Sequence, residues 1–154
     1  MKILILENIR SAYNVGAIFR TADAAGVDKI YLVGYTPTPI DRFGRTQSEI
    51  NKTSLGASQY IAWEHKDDIA GLIDDLQKQG NHVLAIEITE DSQSLLEYQV
   101  PAKVAFILGN EVEGVSELAL RKSDVVCHIP MLGKKESLNV SVTAGVVLYH
   151  DLYQ

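Results

Sequence analysis

The residues best suited to chemistry fall in two short runs of the last third of the chain. Phe106-Ile107-Leu108-Gly109-Asn110-Glu111 is an apolar stretch that stops in a glycine, an amide and a carboxylate, with Gly114 and Ser116 close behind. Ile129-Pro130-Met131-Leu132-Gly133 leaves a second apolar run and passes through Lys134, Lys135 and Glu136 into Ser137-Leu138-Asn139-Val140-Ser141. Two strand ends that deliver backbone amides together with Gly, Asn, Glu and Ser make a ligand crevice at the carboxyl edge of an open α/β sheet. The glycine spacing matches neither a dinucleotide fingerprint nor a phosphate loop ending in Gly-Lys-Ser/Thr, so both are rejected. Simpler roles compete at each position: Asn110 and Glu111 as turn residues, Ser137 and Asn139 as helix caps, Lys134 and Lys135 as solvated loop charges. Arg20 lies off the apolar stripe of its helix, among Gly16, Ala17 and Ala24, where small side chains let a ligand or another backbone come close. Its guanidinium either pairs with Asp23 one turn on, worth tenths of a kcal/mol, or serves as a planar phosphate clamp.

The elements that must position these residues are legible in order. Lys2 to Glu7 reads as a buried strand, and Asn14 as the cap of a helix whose stripe is Val15, Ile18, Phe19, Ala22 and Ala25, stopped by Gly26. Lys29 to Val33 is a second strand, so the chain opens with a βαβ unit and a parallel sheet. From Gly34 to Leu55 the pattern fails in a loop of about twenty residues, with one short helix near Gln47 to Thr53; loops of that length are usually functional. Ser58 to Trp63 reads as a strand, Lys66 to Gln79 as an amphipathic helix, and His82 to Glu87 and Val104 to Leu108 as strands joined through Leu95 to Val100. Ser116 caps a helix to Lys122, Asp124 to Ile129 is the last strand, and Asn139 to Tyr153 is the last helix. The expected fold class is α/β, a mostly parallel open sheet with helices on both faces.

Composition limits what the crevice belongs to. With 154 residues and 46% hydrophobic content, the chain is expected to be one domain over 1–154. Cys127 is alone in an apolar run, which excludes an internal disulfide, and no zinc spacing is present. The run Ile3 to Leu6 is too short for a signal peptide or a membrane span, and a cytoplasmic protein with no membrane partner is expected. The net charge of −6 argues against coating nucleic acid, but the acidic residues crowd between Glu64 and Glu97. Arg10, Arg20, Arg42, Arg45, Lys52, Lys134 and Lys135 are left near the crevice, and a local basic face remains open.

Three ordered runs carry a family resemblance: Asn14-Val15-Gly16-Ala17-Ile18-Phe19-Arg20-Thr21-Ala22; Leu108-Gly109-Asn110-Glu111 with Gly114; and Ile129-Pro130-Met131 with Ser137-Leu138-Asn139-Val140-Ser141. They resemble the motifs of the SpoU (TrmH) family of SPOUT-class RNA 2′-O-ribose methyltransferases. The resemblance implies a deep trefoil knot within about 104–149, an exception to the unknotted rule. It implies S-adenosylmethionine as cofactor, bound around Leu108, Gly109, Asn110, Ile129, Met131, Ser137 and Leu138, with no metal. Arg20, Asn14, Glu111, Ser137 and Asn139 match the catalytic positions. Arg20 is expected to orient an RNA phosphate and ease the developing alkoxide rather than act as base, since a guanidinium keeps its proton above about pH 12. The implied partners are a second copy of the chain and RNA rather than DNA, contacted through Arg10, Arg42, Arg45, Lys134 and Lys135. Without an accessory RNA-binding domain, the minimal architecture points first to tRNA, with rRNA as the alternative. Val112 departs from the family by standing where glycine is frequent. The rival reading is a catalytically silent RNA-binding or assembly module of the same fold.

Overall fold

The computed structural model describes all residues, 1–154. In chain order the elements are β1 (Lys2–Glu7), α1 (Ala12–Ala24), β2 (Lys29–Val33), α2 (Ser48–Ser54), β3 (Ala62–Lys66), α3 (Ile69–Lys78), β4 (His82–Ile86), β5 (Gln93–Ser94), β6 (Val104–Leu108), α4 (Glu117–Lys122), β7 (Val125–His128) and α5 (Val140–Leu152). The strands form one sheet in the order β3-β2-β1-β6-β4-β7-β5, and every pairing is parallel. The inner strands β1 and β6 are apolar along almost their whole length because helices cover both faces. Leu4, Leu6, Ile30, Leu32, Phe106 and Leu108 point into the layer of α1, α2 and α5, while Ile3, Ile5, Ala105 and Ile107 point into the layer of α3 and α4. Each fully buried Leu or Ile contributes about 1.5–3 kcal/mol by leaving water. The edge strand β3 is only partly buried and carries Glu64, His65 and Lys66, which protects an open edge.

Three local expectations need correction. Asn14 does not cap α1: Ser11 does, its Oγ accepting the Asn14 N–H at 3.1 Å, and the side chain of Asn14 is left free for the site. The third strand starts at Ala62, because Leu55 (φ 49°) and Gly56 (φ 90°) end α2 in left-handed conformations and residues 57–59 make a 3-10 turn. The following helix starts at Ile69, because β3 keeps pairing with β2 as far as Lys66. Cys127 is buried as expected, and burial pushes its thiol up to about 11, so it behaves as an inert hydrophobe. The small face of α1 finds its close neighbour inside the chain: a Cβ on Gly16 would run into Thr53 and the Ile50 carbonyl of α2.

Candidate functional site

A crevice of about 650 Å³ opens beyond the carboxyl ends of β4, β6 and β7. In the sheet β4 lies between β6 and β7, so the chain leaves β6 on one side of it and β7 on the other, and such strand ends are where open parallel sheets bind ligands. One wall is the loop that leaves β6. Asn110 and Gly114 exchange backbone hydrogen bonds of 3.1 and 2.9 Å, folding the loop back on itself. Asn110 Oδ1 accepts the N–H groups of Val112 and Glu113, both at 2.8 Å, and its Nδ2 donates to the Asn8 carbonyl and the Tyr35 hydroxyl, both at 2.9 Å. The Asn110 side chain is therefore spent on the turn. Only Gly114 in this turn has positive φ (74°), so Val112 is accommodated without strain. Gly109 is required for another reason: a Cβ there would collide with the backbone of Gly114 and Val115.

Three carboxylates moor this loop. Glu7, buried at the end of β1, accepts from Ser116 N at 2.9 Å and Ser116 Oγ at 2.5 Å. Glu87, just past β4, accepts from Val115 N at 3.0 Å. Glu111 reaches the start of α1, accepting from Arg10 N at 2.9 Å, Ser11 N at 3.1 Å and Asn14 Nδ2 at 3.4 Å. Asn14 Oδ1 in turn accepts from Asn139 Nδ2 at 3.4 Å, while Asn139 Oδ1 caps α5 through Ser141 N at 2.9 Å. Three runs far apart in sequence thus meet in the chain Glu111–Asn14–Asn139. Sequence reasoning missed Glu7 and Glu87; their signal was an apolar strand ending in glutamate, which reads equally well as a strand stop.

The Glu111 carboxyl sits below the usual range. Burial pulls it upward, but the N–H groups of Arg10, of Glu111 itself and of Ser11, with the Asn14 amide, outweigh that effect. A depressed carboxylate stabilises the fold above its unfolded value, about pH 4.3, and that contribution is lost as the pH falls through the folded value. Glu111→Gln is expected to lower stability by about 1 kcal/mol at pH 7. In urea unfolding, the gap to the parent chain should narrow as the pH is lowered from 7 through the acid range; a gap independent of pH would mean that the charge is not what holds α1 to the loop.

The electrostatics of the crevice are one-sided. Glu87, Glu111 and Glu113 line it, and no lysine or arginine does. Ile86, Leu108, Ile129, Met131 and Leu138 supply apolar wall, and Ser137 and Asn139 stand at the rim. The remaining expected residues lie elsewhere. Arg20 is exposed, makes no hydrogen bond or ion pair, and is six residues beyond Asn14, about 9 Å further along α1. It does not pair with Asp23. Lys134 and Lys135 are exposed in the segment between β7 and α5 and make no ion pair. The Arg10 side chain also has no partner, although its backbone holds Glu111. Arg42 and Arg45 face a second cleft beside β3. No group of His, Cys, Asp or Glu is arranged to hold a metal ion, and no helix is long and apolar enough to cross a membrane.

The model of the SpoU rRNA Methylase family matches residues 1–149. The chain is 35% identical over 152 residues to a 23S rRNA (guanosine-2′-O-)-methyltransferase of Xylella fastidiosa, covering 99% of this chain but 58% of that protein. It superposes on the AdoMet-bound rRNA methyltransferase of Sinorhizobium meliloti with a TM-score of 0.83 and 25% identity, over 97% of this chain and 55% of that one. A structure solved in work on 2-OH methylation of C/U34 on tRNA matches with a TM-score of 0.84 and 25% identity, over 99% of this chain and 94% of that one. The match spans nearly the whole chain, every strand of the sheet and all three members of the Glu111–Asn14–Asn139 contact included, and the chain belongs to the SpoU rRNA Methylase family.

Proposed function

We propose that the chain is an S-adenosylmethionine-dependent RNA methyltransferase acting on a ribose 2′-hydroxyl. The observation that carries the reading is the charge of the crevice: three glutamates and no basic residue line a strand-end pocket with apolar walls. That surface suits a ligand with a sulfonium and an ammonium group beside a flat base, and repels the phosphates of a nucleotide cofactor. S-adenosylmethionine fits it, and when bound supplies an electrophilic methyl group. The backbone of Leu108, Gly109 and Ile129 is set to hold a base edge, with Met131 and Leu138 against its faces. Ser137 and Asn139 stand where the ribose hydroxyl would be oriented. Asn14 and Glu111 act as positioning residues for Asn139 and for the start of α1.

Arg20 is exposed and does not line the crevice of its own chain, so the reading assigns it to the crevice of a second copy. Support comes from α5, whose apolar residues spread around its whole circumference while Val142 (50% exposed), Tyr149 (40%) and Leu152 (47%) remain open. A helix apolar on every side is normally covered on every side. Beside it on the packed α1 runs the exposed stripe of Tyr13, Arg20 and Ala24. A dimer through this face covers α5 and presents Arg20 to the partner's crevice, where the guanidinium holds an RNA phosphate and offsets charge on the attacking oxygen. The proton leaves to that phosphate or to solvent. The return of the chain from β7 past β4 to pack α5 on α1 and β6 is the step that the expected trefoil knot within 104–149 would require. The substrate proposed first is tRNA, given the near-complete overlap with a structure of similar length solved for tRNA methylation.

The test is transfer of labelled methyl from S-adenosylmethionine to total unmodified tRNA and rRNA, followed by mass mapping of the product nucleoside. A 2′-O-methylated nucleoside from tRNA is expected. Cofactor binding without transfer to any RNA would favour a silent RNA-binding module.

A further inference from the structure

The long segment 34–47, between β2 and α2, builds a second cleft that the proposed chemistry does not use. Tyr35, Arg42, Phe43 and Arg45 line it on one side, with Trp63 and His65 of β3 on the other. At its apex is a turn tied with unusual thoroughness for an exposed loop. Asp41 accepts from Phe43 N at 2.8 Å, Arg45 N at 3.0 Å and Arg45 Nε at 2.9 Å. The backbones of Asp41 and Arg45 are joined at 2.9 Å, and Ile40 and Thr46 form an antiparallel bridge below. Gly44 closes the turn with φ 76°. The Asp41 carboxyl is lowered, first by the Arg45 backbone N–H that it accepts. This rigid frame holds up Phe43, which is 66% exposed. The guanidinium carbons of Arg42 and Arg45 lie 4.8 and 5.0 Å from its ring centroid.

An exposed aromatic ring with two guanidiniums over it, held on a preorganised turn, presents flat cationic planes that are a poor surface for water and a good one for a nucleobase. Bases stack on aromatic rings and on guanidinium planes, and the free N–H groups of the same arginines reach the adjoining phosphates. The segment carries two arginines against one aspartate, in a chain of net charge −6. It is also joined to the candidate active site: the Tyr35 hydroxyl accepts from Asn110 Nδ2 at 2.9 Å, and Asn110 lines the crevice. Building on the methyltransferase reading, we infer that the Tyr35–Arg45 cleft binds an unpaired nucleotide next to the modified ribose, stacking its base on the Arg42–Phe43–Arg45 platform. The substrate class is then RNA presented in a single-stranded loop. A paired helix does not qualify, because its bases are already stacked.

Trp63, the only tryptophan, lines the cleft and reports on its occupancy. The probe is an RNA hairpin with an unpaired loop, compared with a fully paired duplex of the same length. The hairpin is expected to quench Trp63 fluorescence and the duplex is not. Phe43→Ala should weaken hairpin binding about tenfold with no change in salt dependence, since a stacked base and no phosphate contact is lost. Arg42→Ala should reduce the slope of log K against log salt by about 0.7, one phosphate contact on a single strand. Calorimetric binding of S-adenosylhomocysteine should match the parent chain in both variants, showing that they fold. Methyl transfer to tRNA with unchanged Trp63 fluorescence and parent-like affinity in Phe43→Ala would overturn the inference and leave the methyltransferase reading intact. Failure of the parent chain both to bind and to methylate any RNA would overturn both.

Discussion

Arg20→Ala is expected to reduce methyl transfer by a hundredfold or more, on the order of what one lost transition-state donor costs, while leaving cofactor binding unchanged. Arg20 is an exposed, unpaired guanidinium on a well-packed helix, and α1 rests on Val15, Ile18, Phe19 and Ala22, so the substitution costs the fold almost nothing. Single-turnover transfer and calorimetry on the same preparation separate the two effects. A mixing experiment sharpens the test. If Arg20 serves the partner's crevice, equal amounts of Arg20→Ala and Asn139→Ala chains, each inactive alone, recover about a quarter of the parent activity. Half of the dimers are then mixed, and each has one complete site of two. No recovery after exchange of subunits would place Arg20 in its own chain's chemistry or outside it altogether.

Gly109→Ala should be the most damaging change of a single atom in the crevice. The added methyl meets backbone rather than a flexible side-chain tip, so either β6 or the loop of Asn110 to Val115 must move. Overpacking of this kind costs about 1–3 kcal/mol, and backbone opposition puts this case at the upper end. Displacing the loop also disturbs the hydrogen bonds to Glu7, Glu87 and Glu111, so affinity for S-adenosylhomocysteine is expected to fall at least tenfold. Gly133→Ala is the matched control: its φ is ordinary and a Cβ there meets nothing within 4 Å. It should lie within about 0.5 kcal/mol of the parent in urea unfolding. Equal behaviour of the two variants would mean that the β6 loop is not the tight wall described.

Much of the architecture was readable from local pattern. Ile3 to Leu6 and Val104 to Leu108 are apolar on both faces, as a central parallel strand must be, and the punctuation by Gly26 and Asn139 marks real helix ends. The motifs carried the residues of the crevice wall for the same reason: backbone chemistry at a strand end needs glycine and short polar side chains, which leave a signature within a few positions. What failed was decided by contacts between distant residues. Asn14 looked like a helix cap and became a link between motifs, because Ser11 took the cap while Glu111, 97 residues away, and Asn139, 125 residues away, took its amide. Ser58 looked like strand and became a 3-10 turn, because Leu55 and Gly56, just past α2, turn the chain in left-handed conformations. Glu7 and Glu87 looked like strand stops and became moorings of the β6 loop. By itself, the sequence determined the α/β class, the parallel sheet and the residue types of the crevice, because periodicity and turn chemistry act over a few positions. Only the tertiary structure decided which hydrogen bonds those side chains make, why the crevice is acidic, and that Arg20 is not among the residues lining it, because partners are chosen by proximity in space and the sheet order brings β1, β6 and β4 together out of sequence.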